Sequence, residues 1–356
     1  MNMNFWRDKQ VLITGHTGFK GGWLSIWLQL LGAKVTGYAL SPATWPSLFE
    51  VAEINKGIHS ILADIRDGKA LQREFERTLP EIVFHLAAQP LVRYSYIEPV
   101  ETYATNIMGT VNVLEAVRKT GSVRAMVNIT SDKCYENREQ QQGYREGDPM
   151  GGHDPYSSSK GCSELITAAW RKSFFNPLTD GQHRVALASA RAGNVIGGGD
   201  WANDRLIPDM FRSFEAGEWA RIRHPDAIRP WQHVLEPLSG YLVLAEKLYS
   251  STDYAQGWNF GPDEGDARPV SWIADRLTRM WGKGVGWKQD EQTHPHEASI
   301  LKLDSTKART RLGWKPGWKI DEALEATVEW YQAFCAGAQM RQKCEEQIQL
   351  FMTAQS

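Results

Sequence analysis

Tyr156 and Lys160 stand four residues apart in Tyr156-Ser157-Ser158-Ser159-Lys160, at the start of a stretch whose residues Cys162, Leu165, Ile166 and Ala169 recur with helical spacing. On a helix that spacing puts the phenol and the ammonium on one face. A cation beside a phenol lowers its pKa, and a phenolate can take the proton of a hydroxyl while hydride leaves the same carbon. Such a pair is common on helix surfaces, so its meaning depends on what the rest of the chain supplies. A second cluster lies in Asn128-Ile129-Thr130-Ser131-Asp132-Lys133-Cys134-Tyr135. Ser131 could bond the hydroxyl on which Tyr156 acts, and Asp132 and Lys133 set an acid and a base side by side, which plain alcohol oxidation does not need. The plainer alternative is a capped strand end followed by a solvated lysine.

Hydride chemistry requires an acceptor, and the N-terminal residues offer a place for one. A strand ending at Thr14 runs into Gly15-His16-Thr17-Gly18-Phe19-Lys20-Gly21 and then into an apolar helical run through Trp23, Leu24, Ile26, Trp27 and Leu30. Strand, glycine turn and helix follow in the order a dinucleotide pyrophosphate needs: Gly15 for the turn, Gly18 for approach of backbone amides, Gly21 for close packing of helix on strand. His16 and Lys20 either touch the phosphates or face solvent. Asp64-Ile65 is placed to meet the adenine or to form an ordinary strand-end turn, Leu86-Ala87-Ala88 to pass under the cofactor, and Thr130 to line it. The segment Gly37-Tyr38-Ala39-Leu40-Ser41 has neither the usual ribose carboxylate nor an arginine for a 2′-phosphate, so NAD is expected over NADP, held less tightly than usual.

These residues need a frame. Short apolar runs at Gln10 to Thr14, Ala33 to Leu40, Ile58 to Leu62, Ile82 to Leu86, Arg124 to Ile129 and Val185 to Arg191 alternate with helical patterns. That alternation predicts an α/β doubly wound parallel sheet of Rossmann type. Beyond Gly193, glycines, prolines and helical stretches at Leu206 to Ala216, Glu236 to Tyr249, Val270 to Trp281 and Ile320 to Phe334 predict a smaller, mostly helical C-terminal substrate lobe. The division is therefore 1–192 for the dinucleotide domain and 193–356 for the substrate lobe, with segments of the latter returning to the former. The polar stretch Arg341 to Gln349 reads as a solvated or loosely held helix.

The formal net charge of -2 gives no long-range field for nucleic acid or an anionic membrane. Cys134, Cys162, Cys335 and Cys344 lack the pairing of a metal site and suit a reducing compartment. Charged residues in Met1 to Gln10 and the lack of a long apolar segment predict a cytoplasmic, soluble protein. The 15 tryptophans read as buried or pocket-lining area.

The glycine loop, the Tyr156-to-Lys160 motif and the Ser131-Asp132-Lys133 cluster resemble the extended short-chain dehydrogenase/reductases, and within them the sugar-nucleotide 4,6-dehydratases, over nearly the whole chain. Most of that group carry Thr-Asp-Glu where this chain has Ser-Asp-Lys. Lys133, the run Gly15 to Trp23 and Gly193-Asn194-Val195-Ile196-Gly197-Gly198-Gly199-Asp200-Trp201 are similar to the branch that acts on CDP-glucose. The resemblance implies a lyase of deoxysugar biosynthesis, supplying O-antigen lipopolysaccharide, that uses NAD as a recycled cofactor. Tyr156, supported by Lys160, would take the C4 hydroxyl proton as hydride leaves, a base near Lys133 the C5 proton (Lys133 itself only as the neutral amine), and Asp132 would protonate the departing C6 hydroxyl. It further implies that Asn194, Arg205, Leu206, Arg229, His233, Asn259 and His296 meet the nucleotide sugar, and that a homodimer forms through helices at Glu101 to Lys119 and Tyr156 to Phe174. A dehydratase or 4-epimerase for a dTDP-, GDP- or UDP-hexose is the near alternative; a nucleotide sensor without turnover is the distant one.

Overall fold

The computed structural model describes residues 2–175, 185–282, 284–292 and 301–355. Six strands follow the apolar runs closely: β1 (Gln10–Thr14), β2 (Lys34–Ala39), β3 (His59–Leu62), β4 (Ile82–His85), β5 (Ala125–Ile129) and β6 (Ala186–Ala192). They belong to one seven-stranded sheet in the order β3-β2-β1-β4-β5-β6, completed beyond β6 by a strand not anticipated from sequence, Gly257–Phe260. All its pairings are parallel, as in Val11 opposite both Val35 and Ile82.

Successive side chains of the central strands enter opposite cores, which is why their sequences are apolar without alternation. Val11, Ile13, Ile82, Phe84, Ala125 and Val127 join one hydrophobic cluster with the helices Phe19–Leu30 and Leu235–Ser250. Leu12, Val83 and Met126 join another, with Leu71 and Phe75 of the helix Gly68–Thr78 and Val113, Leu114 and Val117 of Gly109–Lys119. Of the tryptophans, Trp6, Trp23, Trp27, Trp258 and Trp330 are wholly buried.

After β6 the chain forms helices Leu206–Glu215, Val270–Trp281 and Ile320–Cys335 together with three two-stranded sheets, among them Ile228–Pro230 against Ala267–Pro269. The helix Leu235–Ser250 and the strand Gly257–Phe260 return to the large sheet. The helix Met340–Ala354 differs from the expected loose appendage. Its Cys344, Ile348 and Phe351 are fully buried, with the Phe351 ring 5.7 Å from Trp27 and 5.2 Å from Trp318. The exposed polar residues of this segment hide a thin apolar stripe that packs it down. No helix among the described residues is long and apolar enough to cross a membrane.

Candidate active site

Strand order reverses between β1 and β4, so the loops that follow them diverge and open a cleft at the carboxyl edge of the sheet. The cleft holds about 620 Å³ and is walled by the glycine loop, the ends of β4 and β5, the Tyr156 helix, and residues within 192–209 and 221–231.

At the dinucleotide end Gly15 has φ +82°, and a Cβ there would lie 2.7 Å from the Ala87 nitrogen. A Cβ on Gly21 would overlap the Gly15 carbonyl, so the helix can start against the turn only with glycine at both places. That helix, Phe19–Leu30, has Gly18 as its N-cap and no side-chain cap. Its first amides therefore face the cleft ready for an anion. Thr17 is fixed by its hydroxyl donating to the Leu40 carbonyl at 2.9 Å, and Asp64, Ile65, Leu86, Ala87, Ala88 and Thr130 also line the wall. The Asp64 carboxylate is held by Arg66 at 2.6 Å, which keeps its pKa low although burial works the other way. These residues fit a dinucleotide.

His16 is the exception in this loop. Its ring is buried away from the cleft, with Nε2 2.7 Å from Ser60 Oγ and an edge against Phe49, in space left open by the missing side chain of Gly37. Burial lowers its pKa to about 4, so the ring is neutral, and it lies neither in the cleft nor in solvent, the two placements the sequence left open. Lys20 turns the opposite way, into the reaction end of the cleft. Its pKa falls to about 7 through burial and the charges of Arg205 and Lys160, with Asp132 opposing.

The Tyr156 helix, Pro155–Ser173, starts where its shape is dictated locally: Asp154 caps it, accepting from the Ser157 amide at 2.8 Å, and Pro155 occupies the first turn. Tyr156 and Lys160 thereby project together into the cleft, each under a tenth exposed. Burial pushes the phenol up to about 12, with Ser131 opposing through a hydrogen bond, and brings the ammonium down to about 8. The end of β5 brings Ser131, Asp132 and Lys133 opposite them. Ser131 Oγ donates to Asp132 Oδ1 at 3.0 Å and accepts from the Lys133 amide at 3.2 Å. Asp132 Oδ2 is buried and has no hydrogen-bond partner among the described residues. It abuts Gly193, where a Cβ would sit 2.8 Å away. Burial raises the Asp132 carboxyl above its ordinary pKa, against Lys133, Ser131, Arg229 and Lys20.

Of the residues expected to bind the sugar nucleotide, Asn194, Arg205, Leu206 and Arg229 line the cleft. His233 and Asn259 do not. His233 lies fully buried between Trp23 and Trp318, 6.0 and 4.9 Å away between ring centres, and burial lowers its pKa to about 3, so it has no charge to offer a diphosphate. Asn259 is in the edge strand beneath the site, accepting from the Tyr135 hydroxyl at 2.7 Å and donating to the Tyr144 carbonyl at 2.8 Å. His296 lies outside the described residues.

The structure adds groups that sequence reasoning passed over. Asp200 pairs with Arg205 at 2.8 Å. Arg93 from the short helix Val92–Ile97 and Arg223 from beyond β6 share Asp204 Oδ1, at 2.8 and 3.0 Å. Asp200 stands inside the glycine motif already singled out. Arg93, Asp204 and Arg223 belong to no local pattern, and only the fold brings them together.

Tyr156 and Lys160 thus share one cleft with the glycine loop. The chain belongs to the NAD dependent epimerase/dehydratase family, whose model matches residues 11–257. It is 55% identical over 355 residues to the CDP-glucose 4,6-dehydratase of Salmonella typhimurium, covering 99% of each chain. It is 27% identical over 353 residues to the dTDP-glucose 4,6-dehydratase of the same organism, covering 91% of this chain and 93% of that one. The dTDP-glucose 4,6-dehydratase of Bacillus anthracis, solved in complex with NAD, superposes with a TM-score of 0.75 at 20% identity over 93% of this chain and 99% of that one.

Proposed function

We propose that the protein is a hydro-lyase that converts CDP-D-glucose to CDP-4-keto-6-deoxy-D-glucose and water. The observation that carries this reading is the second acid and base pair: Asp132, with one carboxylate oxygen unengaged, and Lys133 stand beside the Tyr156 and Lys160 pair in a single cleft. An epimerase has no use for that second pair. The choice of cytidine rests on the likeness to the Salmonella CDP-glucose enzyme.

Tyr156 takes the proton of the C4 hydroxyl, with Lys160 stabilising the phenolate and Ser131 orienting the hydroxyl. Bound along the glycine loop, NAD supplies a reversible hydride acceptor, so the oxidation at C4 and the reduction at C6 cancel and no external oxidant is consumed. The C4 ketone acidifies the C5 proton, which Lys133 removes, while Asp132 protonates the departing C6 hydroxyl. Asn194, Leu206 and the guanidinium groups of Arg205 and Arg229 hold the nucleotide diphosphate, for which forked donors are suited.

Two further features complete the proposal. Val100, Ile97, Leu165 and Met108 are 79, 72, 60 and 53% exposed on helices that contact one another, and a second copy of the chain covers them in a homodimer. The four free cysteines suit the cytoplasm, where the product enters deoxysugar synthesis for O-antigen lipopolysaccharide. Incubation with CDP-, dTDP-, GDP- and UDP-glucose and catalytic NAD tests the reaction: a 4-keto-6-deoxy product, read by its absorbance in alkali, is expected from the CDP sugar first. Interconversion to the 4-epimer with no such product would overturn the reading.

A further inference from the structure

Glu164 continues the series Tyr156, Lys160 along the same helix and is 5% exposed. Its two oxygens accept four bonds. Oε1 takes the Thr130 hydroxyl at 2.5 Å and Arg191 Nε at 2.9 Å; Oε2 takes the Ser189 hydroxyl at 2.7 Å and Arg191 Nη2 at 2.8 Å. Arg191, 4% exposed on β6, reaches on through Nη1 to the Tyr135 hydroxyl at 2.6 Å, and that hydroxyl donates to Asn259. Thr130 and Tyr135 bracket the short turn Asp132–Cys134. The ion pair therefore grips the chain on both sides of Asp132 and Lys133 and ties it to the helix that carries Tyr156 and Lys160.

A buried ion pair is a poor source of stability, because desolvating both charges offsets most of their attraction and an apolar pair of similar size does as well. What four bonds onto a planar carboxylate and a planar guanidinium do supply is direction. We infer that Glu164 and Arg191 are positioning residues: with Thr130 and Tyr135 they form a clamp that fixes Asp132 and Lys133 against Tyr156, so that the site that oxidises C4 is also in register for the loss of water across C5 and C6. The inference rests on the dehydratase reading. It explains why Asn259 is buried under the site, and it assigns Tyr135 to the elimination step without contact with substrate.

Two light substitutions leave the ion pair itself intact. Tyr135→Phe removes the hydroxyl that joins Arg191 to the far end of the turn, and Thr130→Val removes the hydroxyl at the near end, with Thr130→Ser as the variant that keeps it. Single-turnover experiments with CDP-glucose follow C4 oxidation by absorbance of reduced nicotinamide and elimination by uptake of solvent deuterium at C5. Misplacement of the acid and base should slow elimination about 10- to 100-fold in Tyr135→Phe and in Thr130→Val. Oxidation in Tyr135→Phe should be slowed clearly less than elimination, since Tyr156 and Lys160 stay in place on their helix and Ser131 is the one group of the oxidation step that lies within the turn. Thr130→Ser should recover most of the lost elimination rate. Elimination at the wild-type rate in both variants overturns the clamp, as does equal slowing of both steps with a lowered melting temperature, which marks a merely structural role. Amide hydrogen exchange over residues 131–135 reads the clamp without turnover. Faster exchange in Tyr135→Phe together with a wild-type enzyme that yields no keto sugar would overturn the dehydratase reading alone, whereas unchanged exchange would overturn the clamp.

Discussion

Tyr156 and Lys160 are displaced from their ordinary pKa values in opposite directions, and burial is the first cause of both shifts. Lys160, brought down to about 8, loses its charge as pH rises through that value, and with it the cation that supports the phenolate. The kcat/KM profile should therefore fall on its alkaline side from about pH 8, and the limb should vanish in a Lys160→Met enzyme of low residual rate. Replacing Tyr156 with Phe should lower kcat by about 10²- to 10⁴-fold while calorimetric binding of the nucleotide sugar persists. Asp132→Asn should slow elimination more than C4 oxidation, so that reduced nicotinamide accumulates during turnover. The Tyr156 and Lys160 pair was legible because a four-residue separation becomes a shared face as soon as a helix forms. The sequence does not reveal where a side chain points when its strand is only two or four residues long, as with His233 and Asn259, or when a turn residue folds into the space over a distant glycine, as His16 does over Gly37, and all three are buried away from the cleft.

At the scale of elements, the glycine loop carries the sharpest constraint. A methyl group on Gly21 would overlap the Gly15 carbonyl, so Gly21→Ala must push the helix away from the turn. Overpacking of this kind costs about 1–3 kcal/mol. A lower melting temperature and weaker NAD binding, measured by quenching of tryptophan fluorescence, are the expected outcomes. The C-terminal helix gives a second test. Phe351 is fully buried against Trp27 and Trp318, and Phe351→Ala should destabilise the fold by about 3–5 kcal/mol in denaturant titration, where a solvated helix would show no change. Six strands of the large sheet were readable from their apolar runs. The seventh, Gly257–Phe260, was not, because four residues between polar neighbours carry too little pattern, and its partner β6 lies far away in sequence.

For the whole molecule, the exposed apolar side chains of Ile97, Val100, Met108 and Leu165 lie on helices that also carry or buttress Tyr156. In the homodimer proposed above, covering them by a second copy would couple association to the order of the site. Val100→Glu together with Met108→Glu should give a monomer in sedimentation velocity with reduced turnover; a dimer unchanged by both would place the subunit contact elsewhere. The cleft itself was legible only in outline. A reversal of strand order follows from the alternating pattern, but the meeting of Arg93, Asp204 and Arg223 across it depends on how the smaller lobe folds back, which no local signal encodes.

In the proposed reaction one cleft removes hydride from C4 of a hexose and delivers the same hydride to C6 after water has left. Turnover of CDP-D-glucose deuterated at C4, followed by NMR of the product, measures this directly. The deuterium is predicted at C6 of the 4-keto-6-deoxy sugar, with a solvent-derived hydrogen at C5. Deuterium found still at C4, or lost to solvent, would contradict it.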